Sequence, residues 1–468
     1  MIALPFLLRR LRELRVVDET REQALVREGI LTRADLDLAI AEQRPLTADA
    51  GLRRAADVLA QECRPVTLGR AWDILDAFIE SLTSHCPGLQ AIEASGPMRR
   101  AEPAVTGLVI VSRAADPARA IESISALPAA TDVLHRTLRR VLVLFEGHEI
   151  DVRVTTPDEY GSLLFTTTGP SQHVVEVLER RGPRPSASET EVYTNAGLPY
   201  LPPETRDAPD ALDRALRRDV PRLVRREDMR GDLHMHTTYS DGRDSLRRMI
   251  QATHALGYEY IAITDHSEHA GAARTLTLDQ IGRQRDEIAR LREEAPGMTI
   301  LHGLEVDILP DSTLDCPDSV LETLDIVLAS LHEAAGQDGR QLTRRCLGAI
   351  RHPLVSVISH PANQLVGRRP GYDMDYAAIY QAAAETGTAL EIDGAPAHLD
   401  LSGERAREAV RAGVTVVIDS DCHRSRSLDR QMRMGVGTAR RGWVEPGHVL
   451  NTRAVGDVRA FIARKRAR

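Results

Sequence analysis

GDLHMHTTYSDG, residues 231–242, is a short run that holds two histidines one residue apart and an aspartate near its end, and related runs recur down the chain. YIAITDHS (260–267), TILHGLEVDIL (299–309), DIVLASLH (325–332), VSVISHP (355–361), ALEIDG (389–394) and TVVIDSDCH (415–423) are each apolar, and helical sequence follows each. Seven short strands alternating with helices predict a β/α barrel or a doubly wound sheet. The strand ends favour the barrel. They carry His234 and His236, Asp241 just beyond, His266, Glu305, His332, His360, and Asp421 with His423. In a β/α barrel every C-terminal strand end opens on one face, so these nine side chains are expected to meet at one mouth.

Imidazole and carboxylate donors suit zinc, manganese or iron, and nine of them exceed what one ion takes. Two or three divalent ions sharing bridging carboxylates are therefore expected. His234 and His236 fit this geometrically, because residues i and i+2 of a strand point to the same face. His85, His135, His148, His173, His254, His352 and His448 lie away from the strand ends and read as ordinary surface or hydrogen-bonded histidines. Clustered ions lower the pKa of a bridging water and neutralise charge on phosphoryl oxygens, so phosphoester hydrolysis needs no protein nucleophile. The same donor set also suits amide or lactone hydrolysis.

The rest of the chain sets the context. Its 468 residues predict two or three domains, and 42% hydrophobic with 27% charged residues describes a soluble globular chain rather than a disordered or membrane one. A net charge of −8 gives no overall attraction to nucleic acid or anionic lipid. The only lysine is Lys465, so the body offers no phosphate-loop, Schiff-base or kinase-type lysine. Five scattered cysteines, Cys63, Cys86, Cys316, Cys346 and Cys422, never fall in a Cys-x-x-Cys spacing and read as plain thiols of a cytoplasmic protein. MIALPFLLRRLRELRVVD (1–18) is too short in apolar length to span a bilayer, lacks a signal-peptide pattern and reads as an amphipathic helix.

Helical periodicity in EGILTRADLDLAIAEQ (28–43) and AWDILDAFIESL (71–82) predicts a helical module over 1–88. From there the texture turns to β-type runs, LQAIEA (89–94), GLVIVS (107–112), RVLVLFE (140–146) and EIDVRVT (149–155), with a helix at DPARAIESISAL (116–127). An α+β domain is expected over 89–227, ending in RRGPRPSASETE (180–191) and LPYLPPETRDAPD (198–210), a linker or extended arm. The barrel takes 228–468. The fold class is thus multidomain α/β.

The strand-end motifs, GDLHMHTTYSDG, ITDHS, GLEVDIL, SLHE, SHP, EIDGAP and DSDCH, resemble the polymerase and histidinol phosphatase (PHP) domain over 231–468. That resemblance implies an irregular seven-stranded β/α barrel with a trinuclear site filled by manganese, zinc or iron. It implies His234, His236, Glu305 and Asp421 around one ion, a bridging Glu305 with His332 and His360 around a second, and Asp241, His266 and His423 around a third. The segments GVGTARRGWVEPGHVLNT (435–452) and GLPYLPPETR (197–206) resemble one branch, the bacterial family X DNA polymerases whose C-terminal PHP domain is a 3′-5′ exonuclease. The resemblance makes 1–88 a fingers-like module and 89–227 a nucleotidyltransferase-like palm and thumb.

Departures from that branch matter. SGPMRRAEPAVTGLV (95–109) is similar to the family's triphosphate-binding stretch, but Pro97 replaces its serine, and Gly107 and Val109 replace its paired aspartates. Only Asp151 matches the third aspartate, and one carboxylate cannot hold two ions for nucleotidyl transfer. TTTGPSQH (166–173), similar to a TGS-x-x-H turn, has Pro170 for the serine. The lyase-type helical domain is expected to be missing, and RVVDETREQALVREG (15–29) stands where a glycine-rich DNA-backbone loop would be. In the PHP part, Gln364 and His398 replace family arginines, which leaves Arg368 and Arg369 as candidate phosphate contacts.

A metal-dependent phosphoesterase follows, with DNA 3′ ends as inherited substrate, a role in DNA repair and an inactive polymerase part. The alternatives are a small-molecule phosphomonoesterase of the histidinol phosphatase kind and a non-catalytic DNA-repair scaffold. No membrane role and no protein partner is read from the sequence.

Overall fold

The computed structural model describes residues 4–53, 65–182, 184–270, 274–295, 297–332 and 336–468. The chain divides into two compact units, Met1–Val220 and Pro221–Arg468. Cys63 lies outside the described residues, and Cys86, Cys316, Cys346 and Cys422 are buried free thiols. Among the described residues no helix is long and apolar enough to cross a membrane.

In the first unit β1 (Val66–Thr67) pairs with β3 (Ala104–Val105). The strands β2 (Gln90–Ser95), β4 (Leu108–Arg113), β5 (Asp132–Arg136), β6 (Arg140–Phe145) and β7 (His148–Thr155) form a sheet ordered β2-β4-β7-β6-β5. β4 and β7 are parallel and the other pairs antiparallel. The predicted runs match β2, β4, β6 and β7, whereas β5, with its polar DVLHR sequence, carries no such signal. Helices Phe6–Glu13, Glu19–Arg27 and Arg33–Ala41 bury Leu7, Leu8, Leu11, Leu25 and Leu36 in one cluster with Leu134 and Leu142 of the sheet. The second proline-rich stretch, 198–210, is packed rather than extended. Helix Glu189–Asn195 buries Tyr193, and the guanidinium of Arg206 lies over the rings of Phe165, Tyr193 and Tyr200 at 5.4, 5.4 and 5.9 Å. A cation desolvated between aromatic faces and paired with Glu189 at 2.8 Å gives these segments a core of their own.

In the second unit β8 (Gly231–Asp232), β9 (Tyr260–Ile263), β10 (Thr299–Asp307), β11 (Ile326–Ser330), β12 (Val357–Ile358), β13 (Ala389–Asp393) and β14 (Val416–Asp419) form one sheet in chain order. Every pair is parallel. A parallel bridge between Met235 and Cys422, with His236 N–H donating to Cys422 O at 3.0 Å, brings the first strand's continuation to the last's and nearly closes the barrel. Alternation then separates two layers. Ile261, Ile300 and Val327 join the outer core under the helices, while Tyr260, Leu301, Ile326 and Leu328 join an inner cluster with Val458, Phe461 and Ile462 of helix Val455–Arg466. Apolar side chains thus fill the barrel at its strand starts, and the strand ends are left to polar residues.

Candidate metal centre

The first motif is shaped by bonds the chain makes after β8. The regular ladder stops at Asp232, short of the two histidines of the run, and beyond it Thr264 N–H donates to Met235 O at 3.0 Å. Asp265, fully buried, holds the turn that follows: its carboxylate accepts from Thr237 N–H at 2.7 Å, Ser240 N–H at 3.1 Å and Thr237 Oγ1 at 2.7 Å. Gly242 lets the loop fold back on His236, since a Cβ there would sit 2.6 Å from the His236 carbonyl carbon.

All nine strand-end residues come together around Glu305, which is fully buried. Its Oε1 accepts from His360 Nε2 at 2.9 Å, from Ser359 Oγ at 3.0 Å and from Ser330 Oγ, and stands 3.4 Å from His332 Nε2. Its Oε2 lies 2.8 Å from His266 Nδ1, 3.4 Å from His234 Nε2 and 3.6 Å from His236 Nε2. Asp421 Oδ1 lies 3.0 Å from His236 Nε2 and 3.6 Å from His234 Nε2. Asp241 Oδ1 lies 3.2 Å from His423 Nε2 and 3.6 Å from His266 Nε2. Three groups have all their ligand atoms within 4.8 Å of one another: His236, Asp241, His266 and His423; His234, His236 and Asp421; His266, Glu305 and His332. His236 and His266 each belong to two, an overlap beyond the sharing of Glu305.

The electrostatics explain why such a cluster suits cations. Burial favours neutral carboxyls, yet His266, His234 and His332 outweigh it and hold Glu305 well below the usual carboxylate range. Burial likewise opposes charge on His234, but Glu391, Glu305 and Asp421 raise its pKa well above the ordinary value. His332, buried but facing Glu305 and Asp307, is pushed up to about 10, and His236, buried beside His423 and His266, falls to about 4. Buried anions here depend on cations around them, and a divalent ion supplies the same compensation. Hydrogen bonding leaves gaps that point the same way: His236 Nδ1, Asp241 Oδ1, His266 Nδ1 and Glu305 Oε2 are buried and, although charged neighbours stand close to them, none makes a hydrogen bond among the described residues. Histidine and carboxylate atoms orphaned in one spot fit metal ions.

Beneath the nine lies a supporting layer that the motifs did not disclose. His234 Nδ1 donates to Glu391 Oε1 at 2.7 Å, and the other Glu391 oxygen accepts from His360 N–H at 2.7 Å. Asp307 stands 3.4 Å from His332 Nδ1. The signal was present: Glu391 lies near the end of β13, whose strand end supplied no ligand, and a carboxylate inside a barrel strand needs a partner. Arg368 and Arg369 are both exposed. Arg369 Nη2 donates to the Asn363 carbonyl and side-chain oxygens at 2.8 and 2.9 Å, and Asn363 Nδ2 in turn donates to Leu331 O at 2.6 Å and His332 O at 3.1 Å, so this arginine braces the loop that carries His332. Gln364 Nε2 donates to the His398 and Leu399 carbonyls at 2.9 and 2.7 Å, and the His398 ring stacks on His360 with centroids 5.4 Å apart.

In the first unit a cavity of about 380 Å³ is lined by residues that include Pro97, Gly107, Val109, Asp151 and Arg153. Val109 on β4 stands beside Asp151 on β7 in parallel register. Arg140 and Arg153 face each other across β6 and β7, a pairing of like charges that needs compensation. Asp151 supplies it, accepting from Arg140 at 2.8 and 2.9 Å and from Arg153 at 2.8 and 2.9 Å, and Asp35 accepts from both arginines at 2.7 Å. Asp35 also completes the cap of helix Arg33–Ala41. Nearby, Arg99 donates to Thr168 Oγ1 at 2.9 Å and Glu189 at 2.7 Å, and Arg100 donates to Glu102, to the Thr168 carbonyl and to Asp207.

A family model described as "PHP domain" matches residues 232–392. The DNA polymerase/3′-5′ exonuclease PolX of Bacillus subtilis is 36% identical over 407 residues, 82% of this chain and 71% of that one. The chain belongs to the PolX family. In this PolX-family chain seven of the nine strand-end residues fall inside the matched PHP span, and Asp421 and His423 lie beyond it. A probable phosphatase of Thermoanaerobacter is 28% identical over 247 residues, 50% of this chain and 95% of that protein. Histidinol phosphate phosphatase from Lactococcus lactis, solved with zinc, L-histidinol and phosphate, aligns at a TM-score of 0.37 and 20% identity over 46% of this chain and 95% of that one. The PHP domain and the exonuclease- and phosphatase-named relatives support a metal-dependent phosphoesterase.

Proposed function

We propose that this chain is a metal-dependent phosphoesterase that trims DNA 3′ ends in repair, with hydrolysis in the PHP barrel and no polymerase activity in the palm. The observation that carries it is the set of buried ligand atoms that make no hydrogen bond and converge on Glu305. Two or three divalent ions, of manganese, zinc or iron, would be held by His234, His236, Glu305 and Asp421, by Glu305, His332 and His360, and by Asp241, His266 and His423. Bound there, they would polarise the phosphoryl oxygens and supply an activated water. The chain's own part is orientation. Glu391 accepts the Nδ1–H of His234 and turns its Nε2 inward, while Ser330 and Ser359 fix one Glu305 oxygen and leave the other facing the histidines.

The polymerase part is read as inert because Gly107 and Val109 bring no carboxylate beside Asp151, and Asp151 is saturated by arginines. Helical 1–88, palm-like 89–227 and barrel 228–468 follow the family plan, and four buried thiols suit a cytoplasmic chain. A second reading, a small phosphomonoesterase, is favoured by Gln364 and His398, which direct no guanidinium into the mouth. Metal analysis of the purified protein, with parallel assays on single-stranded DNA and a panel of phosphomonoesters, tests the choice. Bound metal with faster turnover of DNA is expected; preference for the monoesters would overturn the exonuclease, and a metal-free, inactive chain would leave the scaffold.

A further inference from the structure

On the rim of the metal centre a cavity of about 240 Å³ is lined by Asp241, Arg243, Arg274, His423 and Arg424. Two of these are candidate ligands, so the cavity opens onto the centre itself. The other three are arginines from separate loops: Arg243 follows the first motif, Arg274 precedes helix Leu278–Glu294, and Arg424 follows β14. The loops are pinned together. Arg243 N–H donates to His423 O at 2.8 Å, Arg274 Nη2 donates to Gly242 O at 3.2 Å, and Asp244 accepts from Ser425 N–H at 2.7 Å and Ser425 Oγ at 2.8 Å.

The hydrogen bonds of the nearby carboxylates go mainly to other groups, although Asp244 also feels the charge of Arg424. Asp241 is faced by His423 and His266, Asp244 caps Ser425, and among the described residues no ion pair joins an acid to Arg243, Arg274 or Arg424. Two guanidiniums with no acid paired to them, and a third, Arg424, shared only with the field of Asp244, converge on one small space and make it an anion site, and guanidinium is the group that matches phosphate geometry. The scissile phosphate would be spent at the metal ions, so a simple monoester brings nothing for the arginines to hold.

We propose that this cavity is a subsite for a second phosphate of the substrate, the neighbouring phosphate of a single polynucleotide strand. The inference rests on the phosphoesterase reading of the centre and deepens it: the substrate class is a chain of phosphodiesters rather than a lone phosphomonoester. Arg243, Arg274 and Arg424 are binding residues that add affinity for the strand without touching the reacting bond.

The test compares wild type with the double variant Arg243→Gln, Arg424→Gln, which keeps the Arg274 bond to Gly242. Two substrates are used, (dT)12 and the p-nitrophenyl ester of thymidine 5′-monophosphate, which has no second phosphate. The variant should raise KM for (dT)12 by about tenfold or more with kcat little changed, and leave the ester untouched. In a second arm the metal-free protein in EDTA binds fluorescein-labelled (dT)12, read by anisotropy. Its Kd should weaken by about tenfold, with the salt slope shallower by roughly 0.7 for each phosphate that the arginines no longer neutralise. Unchanged KM and Kd, or equal losses on both substrates, would overturn the proposal. Adenosine 3′,5′-bisphosphate as competitor separates the sources: arginine-dependent inhibition by it, without an arginine effect on (dT)12, would assign the cavity to a small bisphosphate and overturn the strand. If wild type cuts the ester but not (dT)12, the exonuclease reading fails, and the anisotropy arm still decides the cavity.

Discussion

The barrel mouth and the palm cleft both bury carboxylates on sheet strands or the loops beside them, yet they treat them in opposite ways. Glu305 and Asp241 face histidines and keep buried oxygens that no hydrogen bond satisfies. Asp151 has each oxygen bonded to an arginine, and those arginines are shared with Asp35. A histidine can give up its proton and turn a lone pair to a metal, whereas a guanidinium stays charged and stays put. Whether a buried carboxylate is left able to take a metal ion or is tied into the architecture is thus decided by its neighbours, and one chain holds both arrangements.

The largest effect should come from the mouth. Glu305→Gln is expected to lower hydrolysis by at least about a thousandfold and to reduce bound metal even when metal is in excess, because both oxygens are used. Metal analysis beside a rate measurement checks it, and retained activity would mean that the central carboxylate is dispensable. Asp151→Asn should do the reverse. Removing one partner of a buried pair costs about 3–5 kcal/mol, so hydrogen exchange over 90–155 should quicken while hydrolysis stays at the wild-type rate. Lost hydrolysis without lost stability in that variant would erase the contrast.

A pH effect sharpens the same contrast within the first unit. His173 is buried against Tyr193 and beside Arg206, and its pKa is pushed down to about 3. The ring is therefore neutral in the folded unit and gains a proton more readily when unfolded. Its stability contribution is full above the ordinary histidine pKa of about 6.5 and is lost as pH falls toward 3, by up to roughly 4 kcal/mol. His173→Gln should flatten that acid loss, measured by hydrogen exchange at pH 7 and pH 4; an unchanged profile would place the acid sensitivity elsewhere. Glu391→Gln is the mildest change. It should weaken metal affinity by about 10- to 100-fold, read by titration calorimetry, without altering the fold. Unchanged affinity would show that His234 needs no orienting partner.

The barrel and its nine residues were legible because the same signal repeats at strand ends, and parallel topology brings those ends together. That Gly107 and Val109 bring no carboxylate to the strand beside Asp151 was legible as well. The arginine clamp was not, because the opposition of Arg140 and Arg153 depends on strand register, and Asp35 arrives from a helix more than a hundred residues away. Glu391 and Asp265 were missed for a related reason: each acts through one tertiary hydrogen-bond network, although Glu391, near the end of β13, stood where the strand-end pattern could have flagged it. The arginine cavity depends on three loops whose meeting no spacing announces.

Extension and trimming can be read in a single reaction. A 5′-labelled primer annealed to a longer template is incubated with the protein, manganese and all four deoxynucleoside triphosphates, and its products are resolved by length. Primers that only shorten, and that stay intact with Glu305→Gln, are the predicted result. Primers that lengthen, or shortening that survives Glu305→Gln, would contradict it.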